Sequence, residues 1–491
     1  MEVPIQGYAP DLDPRTPGVL TNCAALIPSI RGMKGAPTPV ATPLAALAAA
    51  CTGAAILEKT DGSTRLIAGT TTELFEAGVS TWNTVTAASG DYSGAAAVTW
   101  DFAQFGDTTI AVNKNDIVQT SDSSVFANAS TTAPKASIVE TANNFVILFD
   151  VFDQGGIYDS ADRTNGWWTA GRGGTTVWTP SVANECYTGE LSSTPGPVIA
   201  GKRFGDQVIA YKEFSMFRGY YLGSQGWQFD EIPGEAGAIS KRAVINVGTT
   251  DNPLHLIMGP FDFWIYDGSR PRSIGSDLKD TIFAELDRAN RKSVKTLHSK
   301  QLNVVYWFYP VSGGTTPDKC VVYNYKTGKW GRDDRTIEEV TDYIDSGITW
   351  DSLGDDFSTW DDLFATTWDE SFLQSGLATP AIFDTSHNLK TLSGVAGTTS
   401  MTTGDYGSVQ RYSTVTRVTP IYITYPDSGQ LTHSYRNVIG ESLTSDSAIG
   451  NNSKGEFDVL RSAPWHRDTI QFSGAVEIAG LNVELSVDGD E

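Results

Sequence analysis

The sequence is poor in the residues that most often mark metal and redox sites. Four cysteines lie far apart and form no Cys-x-x-Cys pair: Cys23, Cys51, Cys186 and Cys320. This spacing argues against a zinc ribbon and a dense disulfide framework. Five histidines show no His-x-x-x-His or other metal-ligand spacing: His255, His298, His387, His433 and His466. We therefore predict packing or surface roles for the histidines, and neither a metal nor a cofactor.

Positive charge is also scarce. The chain of 491 residues has 35 lysines and arginines against 58 aspartates and glutamates, a net charge of -23 at pH 7. Proteins that hold nucleic acid neutralise its phosphates with lysine and arginine. This balance predicts that DNA is repelled rather than held.

Long apolar runs are missing as well. The most apolar window, "PLAALAAACTGAAIL", is short and mostly alanine, whereas a membrane-spanning helix needs ~20 apolar residues. The start, "MEVPIQGYAPDLDP", has no basic region followed by an apolar run. We expect a soluble protein made in a cytoplasm. No Gly-x-Ser-x-Gly elbow, phosphate-binding loop or dinucleotide fingerprint occurs, so we predict that the protein is not an enzyme.

Glycine, threonine, serine and aromatic residues are abundant, with 48 glycines and 11% aromatics. Such a composition, with few leucine-rich helical periods, predicts many short strands joined by tight turns. The stretches "GAAILEKT" and "STRLIAG" flank Asp61-Gly62, a pair that tight hairpin turns favour, and "TELFEAG" adds a third strand. The predicted fold class is all-β.

A strand containing Tyr or Phe repeatedly runs into a glycine and then a tryptophan, at Trp82, Trp168, Trp227 and Trp330. The intervals are 86, 59 and 103 residues. If the first and third are halved, each step approaches the roughly 40 to 50 residues of a four-stranded propeller blade. We predict a β-propeller of six blades within residues 41–345, in which these tryptophans pack the blades. A β-sandwich with tryptophans spaced by chance is the alternative.

The other segments differ from this pattern. Residues 1–40 are rich in proline and glycine and are predicted to form an extended arm that buries little. A helical insertion is predicted over 276–293, with Ser276 as its cap and one apolar stripe, and the insertion is expected to be free to contact a neighbouring subunit. Residues 374–399 read as a hairpin that closes the ring with strands from the start of the chain, and 400–491 read as a C-terminal β-domain.

Residues 346–373 contain Thr-Trp-Asp three times, with steps of ten and eight residues. These steps are too short for propeller blades. The segment has no register that supplies the ligands of an EF-hand loop, although a looser calcium or sugar site stays open. We interpret it as a docking element whose tryptophans are anchors. Its candidate assembly residues are Trp350, Asp351, Trp360, Asp361, Trp368 and Asp369.

An enzymatic alternative is sugar hydrolysis. The stretch "SADRTNGWW" partly resembles the aspartate box of sialidases through Ser160, Asp162 and Trp168, with Thr164 where glycine is expected. That box is a turn motif and not a catalytic centre. A glycosidase needs two carboxylates about 5 to 10 Å apart, and the sequence does not rank the candidates.

Three stretches together resemble a known family. They are "PDLDPRTPGVLTNCAALIPSIRGMKGAPTPV", the tandem "TWDSL", "TWDDL" and "TWDES", and "WHRDTIQFSG" before an acidic end. They are similar to the tail nozzle, or packaged-DNA stabilisation, proteins of short-tailed bacteriophages. The resemblance covers the whole chain in layout and some 60 to 70 residues in detail.

The resemblance implies a β-propeller with added β-domains in a structural virion protein. Six copies of such a protein form a ring below the portal and adaptor proteins, close the channel on packaged double-stranded DNA and contact tail fibres. It implies a homo-oligomer, most simply a hexamer, located in the phage tail after synthesis in the bacterial cytoplasm. A receptor- or glycan-binding fibre or spike propeller, and a propeller glycosidase, remain the alternatives.

Overall fold

The protein is described by a computed structural model. It describes residues 2–94, 99–153, 161–311, 313–344, 378–409 and 411–490, with side chains up to residue 486. The chain starts with six short strands: β1 (Glu2–Pro4), β2 (Gly7–Tyr8), β3 (Val19–Ala24), β4 (Leu26–Pro28), β5 (Met33–Gly35) and β6 (Thr38–Ala41).

Sixteen strands then form four antiparallel four-stranded sheets, blades 1 to 4, in chain order. Blade 1 contains β7 (Gly53–Glu58), β8 (Thr64–Gly69), β9 (Leu74–Ala77) and β10 (Trp82–Thr84). Blade 2 contains β11 (Asp101–Phe105), β12 (Thr108–Val112), β13 (Gln119–Ser121) and β14 (Ala127–Asn128). Blade 3 contains β15 (Lys135–Ala142), β16 (Phe145–Phe152), β17 (Asp162–Thr169) and β18 (Thr188–Glu190). Blade 4 contains β19 (Ala200–Phe204), β20 (Gln207–Tyr211), β21 (Met216–Tyr221) and β22 (Trp227–Ile232).

Three further four-stranded units follow around the same circle. Blade 5 contains β23 (Val244–Asn246), β24 (His255–Met258), β25 (Phe263–Tyr266) and β26 (Arg272–Ser273). After helix α1 (Lys279–Glu285), blade 6 contains β27 (Lys295–Ser299), β28 (Val304–Tyr309), β29 (Lys319–Asn324) and β30 (Lys329–Arg332). Blade 7 contains β31 (Glu339–Tyr343), β32 (Thr379–Phe383) and β33 (Leu389–Gly394), with β6 from the start of the chain as its outer strand.

The predicted β-propeller is confirmed. The first strand of each blade contacts the first strand of the next, and β31 contacts β7, so the inner strands form a closed circle. The six blades predicted within residues 41–345 are blades 1 to 6. The hairpin β32–β33 pairs with β6 and completes the circle as a further blade. Closure by β6 and by the hairpin β32–β33 joins two parts of the chain that are far apart in sequence.

The remaining strands form the C-terminal β-domain: β34 (Thr399–Thr403), β35 (Tyr406–Gly407), β36 (Arg411–Thr424), β37 (Ser428–Arg436), β38 (Thr444–Ser445), β39 (Ile449–Gly450), β40 (Phe457–Ala463), β41 (Trp465–Ser473) and β42 (Glu477–Asp490). One sheet runs in the order β2-β3-β34-β41-β37-β38, and β35 and β39 pair with β41 and β37. The other sheet continues blade 6 through β30-β4-β5-β42-β36-β40, with β1 paired to β42. The propeller and the C-terminal β-domain therefore share one ten-stranded sheet.

Residues 1–40 do not lie over a surface as an arm with little burial. Their isolated apolar side chains, among them Ile5, Leu20 and Met33, belong to one core that also contains Trp307 of blade 6 and Ile470 of β41. Prolines and glycines keep these strands short, but each strand pairs with a sheet. The N-terminal segment thus acts as a tie between the propeller and the C-terminal β-domain.

The helical insertion is shorter than the predicted 276–293. Helix α1 covers seven residues, and the chain turns extended at Leu286 before a 3-10 turn at Arg291–Ser293. Ser276 does not cap the helix. The carboxylate of Asp11 accepts the Asp280 backbone N–H at 2.6 Å and the Thr281 N–H at 3.1 Å. The apolar stripe is buried against the core, so it is not free for a neighbour.

The described part of the stretch that resembles an aspartate box, residues 161–168, is not a turn, and Ser160 lies outside the described residues. Asp162 begins strand β17, and Trp168 lies within it, in register with Leu148 of β16. Asp162 accepts a bond from Lys114 Nζ at 2.7 Å. Among the described residues no helix is long and apolar enough to cross a membrane.

Candidate functional site

Two of the sequence-predicted tryptophans lie between neighbouring blades. The ring of Trp82 in blade 1 lies 6.0 Å from that of Phe383 in blade 7. The ring of Trp227 in blade 4 meets Phe145 of blade 3 edge-on at 5.7 Å. Each therefore packs its own blade on the preceding one.

The other two tryptophans are fully buried in similar places. Trp330 of blade 6 lies 4.9 Å from Phe263 of blade 5, ring to ring. Trp168 of blade 3 shares a core with Ile110 and Val112 of blade 2. Its indole Nε1 donates to the Trp178 carbonyl oxygen at 3.1 Å, which satisfies a buried donor.

The Thr-Trp-Asp segment, with all six candidate assembly residues, lies outside the described residues. The two residues that flank it are described. Tyr343 ends the inner strand of blade 7 and is in register with Thr379, where the second strand begins. The described strands on either side of the segment therefore meet in blade 7.

The propeller axis is crossed by a pair of cationic side chains that precede blade 5. Lys241 Nζ donates to the carbonyl oxygens of Thr99 and Ser137, each at 2.8 Å, beside the inner strands of blades 2 and 3. Arg242 donates to Ala54 O of blade 1 at 3.3 Å and to Trp100 O at 3.2 Å. Because these partners lie on the far side of the circle, the two side chains close the axis at this end.

An acidic side chain balances part of the positive charge at the axis. Glu339, at the start of blade 7, lies 3.7 Å from Arg242 Nε and 3.1 Å from Lys295 Nζ of blade 6. Burial alone would raise the pKa of Glu339, but the two cations lower it overall. Burial also lowers the pKa of Lys241 to about 8, so this side chain is still charged at neutral pH. We call Lys241, Arg242, Lys295 and Glu339 the axial charge cluster.

A second buried polar group lies in the C-terminal β-domain. His466 Nε2 lies 3.0 Å from the Ser413 carbonyl oxygen, which only accepts, so this nitrogen carries a proton. His466 Nδ1 lies 3.0 Å from His433 Nε2, and His433 Nδ1 lies 2.7 Å from an oxygen of the Asp468 carboxylate. Tyr406 OH donates to the other Asp468 oxygen at 2.6 Å. These five residues form what we call the histidine network.

The network does not activate its serine. The Ser413 hydroxyl lies 3.3 Å from His466 Nε2, but that nitrogen already donates to the Ser413 carbonyl. It cannot take the hydroxyl proton as a triad histidine would. Burial, followed by the nearby His433, lowers the pKa of His466 to about 4. The arrangement fits a structural link between strands better than a nucleophile.

A cavity of about 440 Å³ adjoins the network between the N-terminal segment and the C-terminal β-domain. Tyr406 and Ser413 form part of its wall. Most of the remaining lining is apolar and includes Val3, Ile5, Leu20, Trp465, Leu481 and Leu485. The cavity has room for an apolar group and offers it few polar partners.

Sequence reasoning missed both buried clusters. His433 and His466 are 33 residues apart and meet because β37 and β41 pair in register. A search for close histidine spacing does not find such a pair. Across the described chain no group of three His, Cys, Asp or Glu side chains could hold a metal ion. The four cysteines are free and buried, and burial raises the pKa of each thiol.

Comparisons with known proteins add little. No family model matches the chain, and no curated protein matches it. One similar solved structure is YCF48 from Cyanidioschyzon merolae, at 12% identity and a TM-score of 0.36, over 73% of this chain and 99% of that one. Another is a glycoside hydrolase, at 10% identity and a TM-score of 0.24, over 78% and 96%. At these values neither likeness bears on function.

Proposed function

We propose that this protein is a structural subunit of a bacteriophage tail. In this proposal several copies, most simply six, form a nozzle ring at the end of the tail tube. The ring binds the adaptor or portal proteins on one side, carries or neighbours tail fibres, and retains packaged DNA until ejection. The proposal starts from the resemblance of the N-terminal, Thr-Trp-Asp and "WHRDTIQFSG" stretches to this class of protein.

The observation that carries the proposal is the shared ten-stranded sheet. Hydrogen-bonded strands run without a break from β27 of blade 6, through β4 and β5, to β36 and β40 of the C-terminal β-domain. One hydrophobic core also spans both parts. A body joined in this way has no flexible linker between its domains, which suits a ring that resists pressure from packaged DNA.

The closed axis supports the same reading. Lys241 and Arg242 span the centre of the propeller and hydrogen-bond to blades on the other side. A double helix does not fit through an axis filled by side chains. In a nozzle built from this chain, the conduit therefore runs between subunits.

The net negative charge supports a conduit through which DNA passes without being bound. A conduit wall made from a chain with a net charge of -23 repels phosphates, because binding requires lysine and arginine to displace counterions. We expect no measurable preference for any DNA sequence.

Two measurements on the purified protein test the proposal. Titration with labelled double-stranded DNA at physiological salt is expected to give only weak binding, and a sub-micromolar dissociation constant would overturn it. Mass photometry across protein concentrations is expected to give a closed assembly of fixed copy number. Hydrolysis of a host polysaccharide that is lost when one carboxylate is changed to its amide would instead favour the glycosidase.

A further inference from the structure

Two phenylalanines form an exposed pair on one face of the propeller. Phe214 lies between the second and third strands of blade 4, and Phe261 lies at the same place in blade 5. Their rings lie 6.1 Å apart at an angle of 21°, and the residues are 51% and 56% exposed. They are the two phenylalanines among the exposed large apolar residues of the described chain. Stacked exposed aromatics of this kind are typical of contact surfaces.

One basic side chain contacts this pair, and two more follow shortly after it in the sequence. The guanidinium of Arg288 lies 5.7 Å from the Phe261 ring centre. Arg291 is bound to Glu213, next to Phe214, at 2.9 Å, and Lys292 follows it on the surface. We call Phe214, Phe261, Arg288 and Lys292 the basic aromatic platform. It combines the two residue types, aromatic and arginine, that most often dominate binding energy.

The Thr-Trp-Asp segment has the complementary chemistry. Residues 346–373 carry three tryptophans, seven acidic residues and no lysine or arginine. Indole rings stack on phenylalanine and arginine, and carboxylates pair with arginine and lysine. The platform offers partners for both features at once.

Topology places the platform and the described residues that flank the segment on opposite faces of the propeller. The segment follows the first strand of blade 7, whereas Phe214 and Phe261 follow the second strands of blades 4 and 5. Successive antiparallel strands end at opposite faces, and the inner strands of all blades run the same way around the axis. The described residues on either side of the segment, Tyr343 and Thr379, thus lie on the face opposite the platform of the same chain, which favours the platform of a neighbouring copy as the partner.

We propose that the basic aromatic platform binds the Thr-Trp-Asp segment of a second copy of this chain. The contact joins different surfaces of the two copies, and repeated contacts of this kind form rings when the rotation closes. The inference rests on the proposed function, because the second copy is the neighbouring subunit in the nozzle ring.

A peptide titration tests the inference directly. A fluorescent peptide of residues 346–373 is titrated with the intact protein at concentrations where mass photometry finds monomers, and anisotropy is measured. The double variant Phe214→Ala with Phe261→Ala is expected to weaken binding about 10-fold or more, as loss of a hot spot does. Arg288→Glu is expected to have a similar effect, and binding of the unmodified protein should weaken with added salt. The matched control is Tyr425→Ala, which removes an aromatic residue that is 52% exposed elsewhere.

The outcomes separate this inference from the proposed function. Equal binding by the double variant and the control, or no binding by the unmodified protein, would overturn the inference even if rings form. Binding of a polysaccharide in place of the peptide would also overturn it and assign the platform to sugar. If the peptide binds at the platform but the protein never forms a ring, the docking contact is supported and the proposed nozzle function is overturned. In the full chain, Trp360→Ala is expected to keep the thermal unfolding midpoint and weaken self-association.

Discussion

The propeller axis and the histidine network both bury charged groups, but they balance them differently. At the axis, Arg242 and Lys295 face Glu339, and these two cations lower the pKa of the Glu339 carboxyl. In the C-terminal β-domain, His466 must stay neutral beside His433 and Asp468. Closure of the axis therefore depends on the presence of each charged partner in the axial charge cluster. The stability that the histidine network gives to the C-terminal β-domain depends instead on pH.

The largest effect is expected from removing the arginine at the axis. Arg242→Met leaves Glu339 with one cation and leaves the carbonyls of Ala54 and Trp100 without this donor. Breaking a buried ion pair from one side costs about 3 to 5 kcal/mol. Denaturant unfolding should show a loss of this size in the free energy of unfolding.

The control for this change is Arg31→Met. Arg31 pairs with Glu477 at 3.1 Å, but its side chain is 66% exposed. Exposed pairs contribute about 1 kcal/mol or less. If the two variants lost the same stability, the axial charge cluster would not be the tight closure described above.

The second-largest loss of stability is expected on acidification, because the histidine network takes up protons. The unfolded chain takes up a proton on His466 near its usual pKa, whereas the folded chain does so only at about 4. The unfolded state thus binds more protons as the pH falls from about 6.5 to 4, and stability decreases in this window. One unit of pKa shift corresponds to about 1.4 kcal/mol, so His466 accounts for a loss of about 3 kcal/mol in the free energy of unfolding.

The variant His466→Asn tests the contribution of His466 to this loss of stability. His255 and His298 also have pKa values lowered by burial to about 4, so the unmodified protein should lose more than the share of one histidine. Denaturant unfolding at several pH values should give a shallower acid dependence for the variant. A dependence as steep as that of the unmodified protein would show that the network does not titrate in this way.

The smallest loss of stability is expected from removing the carboxylate of Asp11, which lies at the edge of the core. Asp11 of the N-terminal segment accepts bonds from the start of helix α1. Loss of a helix-capping side chain costs about 1 kcal/mol, so Asp11→Ala should lower the thermal midpoint by about one degree. Asp13→Ala removes an exposed carboxylate paired with Arg15 and should change it less. A reversed order would argue against the N-terminal segment as a tie.

The propeller could be predicted from the sequence because each blade repeats its own local pattern. Strand, turn glycine and tryptophan recur along the chain, and Trp82, Trp168 and Trp227 each mark one blade. Turn chemistry such as Asp61-Gly62 is likewise local, and this pair joins β7 to β8, with Gly62 at a φ of 82°. Such signals need no knowledge of distant partners.

The features that join distant parts of the chain could not be predicted. Asp11 caps a helix 269 residues later, and Arg242 binds a carbonyl 188 residues earlier. Both contacts depend on which strands neighbour which, and one sequence does not encode that register in any local pattern. For the same reason, the burial of the N-terminal segment was missed: its apolar residues have no periodicity of their own.

Electron microscopy of the purified assembly tests the central claim most directly. We predict ring-shaped class averages with a fixed number of propellers around a central opening, and with every propeller axis closed. A trimeric rod, or an opening that coincides with the axis of a propeller, would contradict the account.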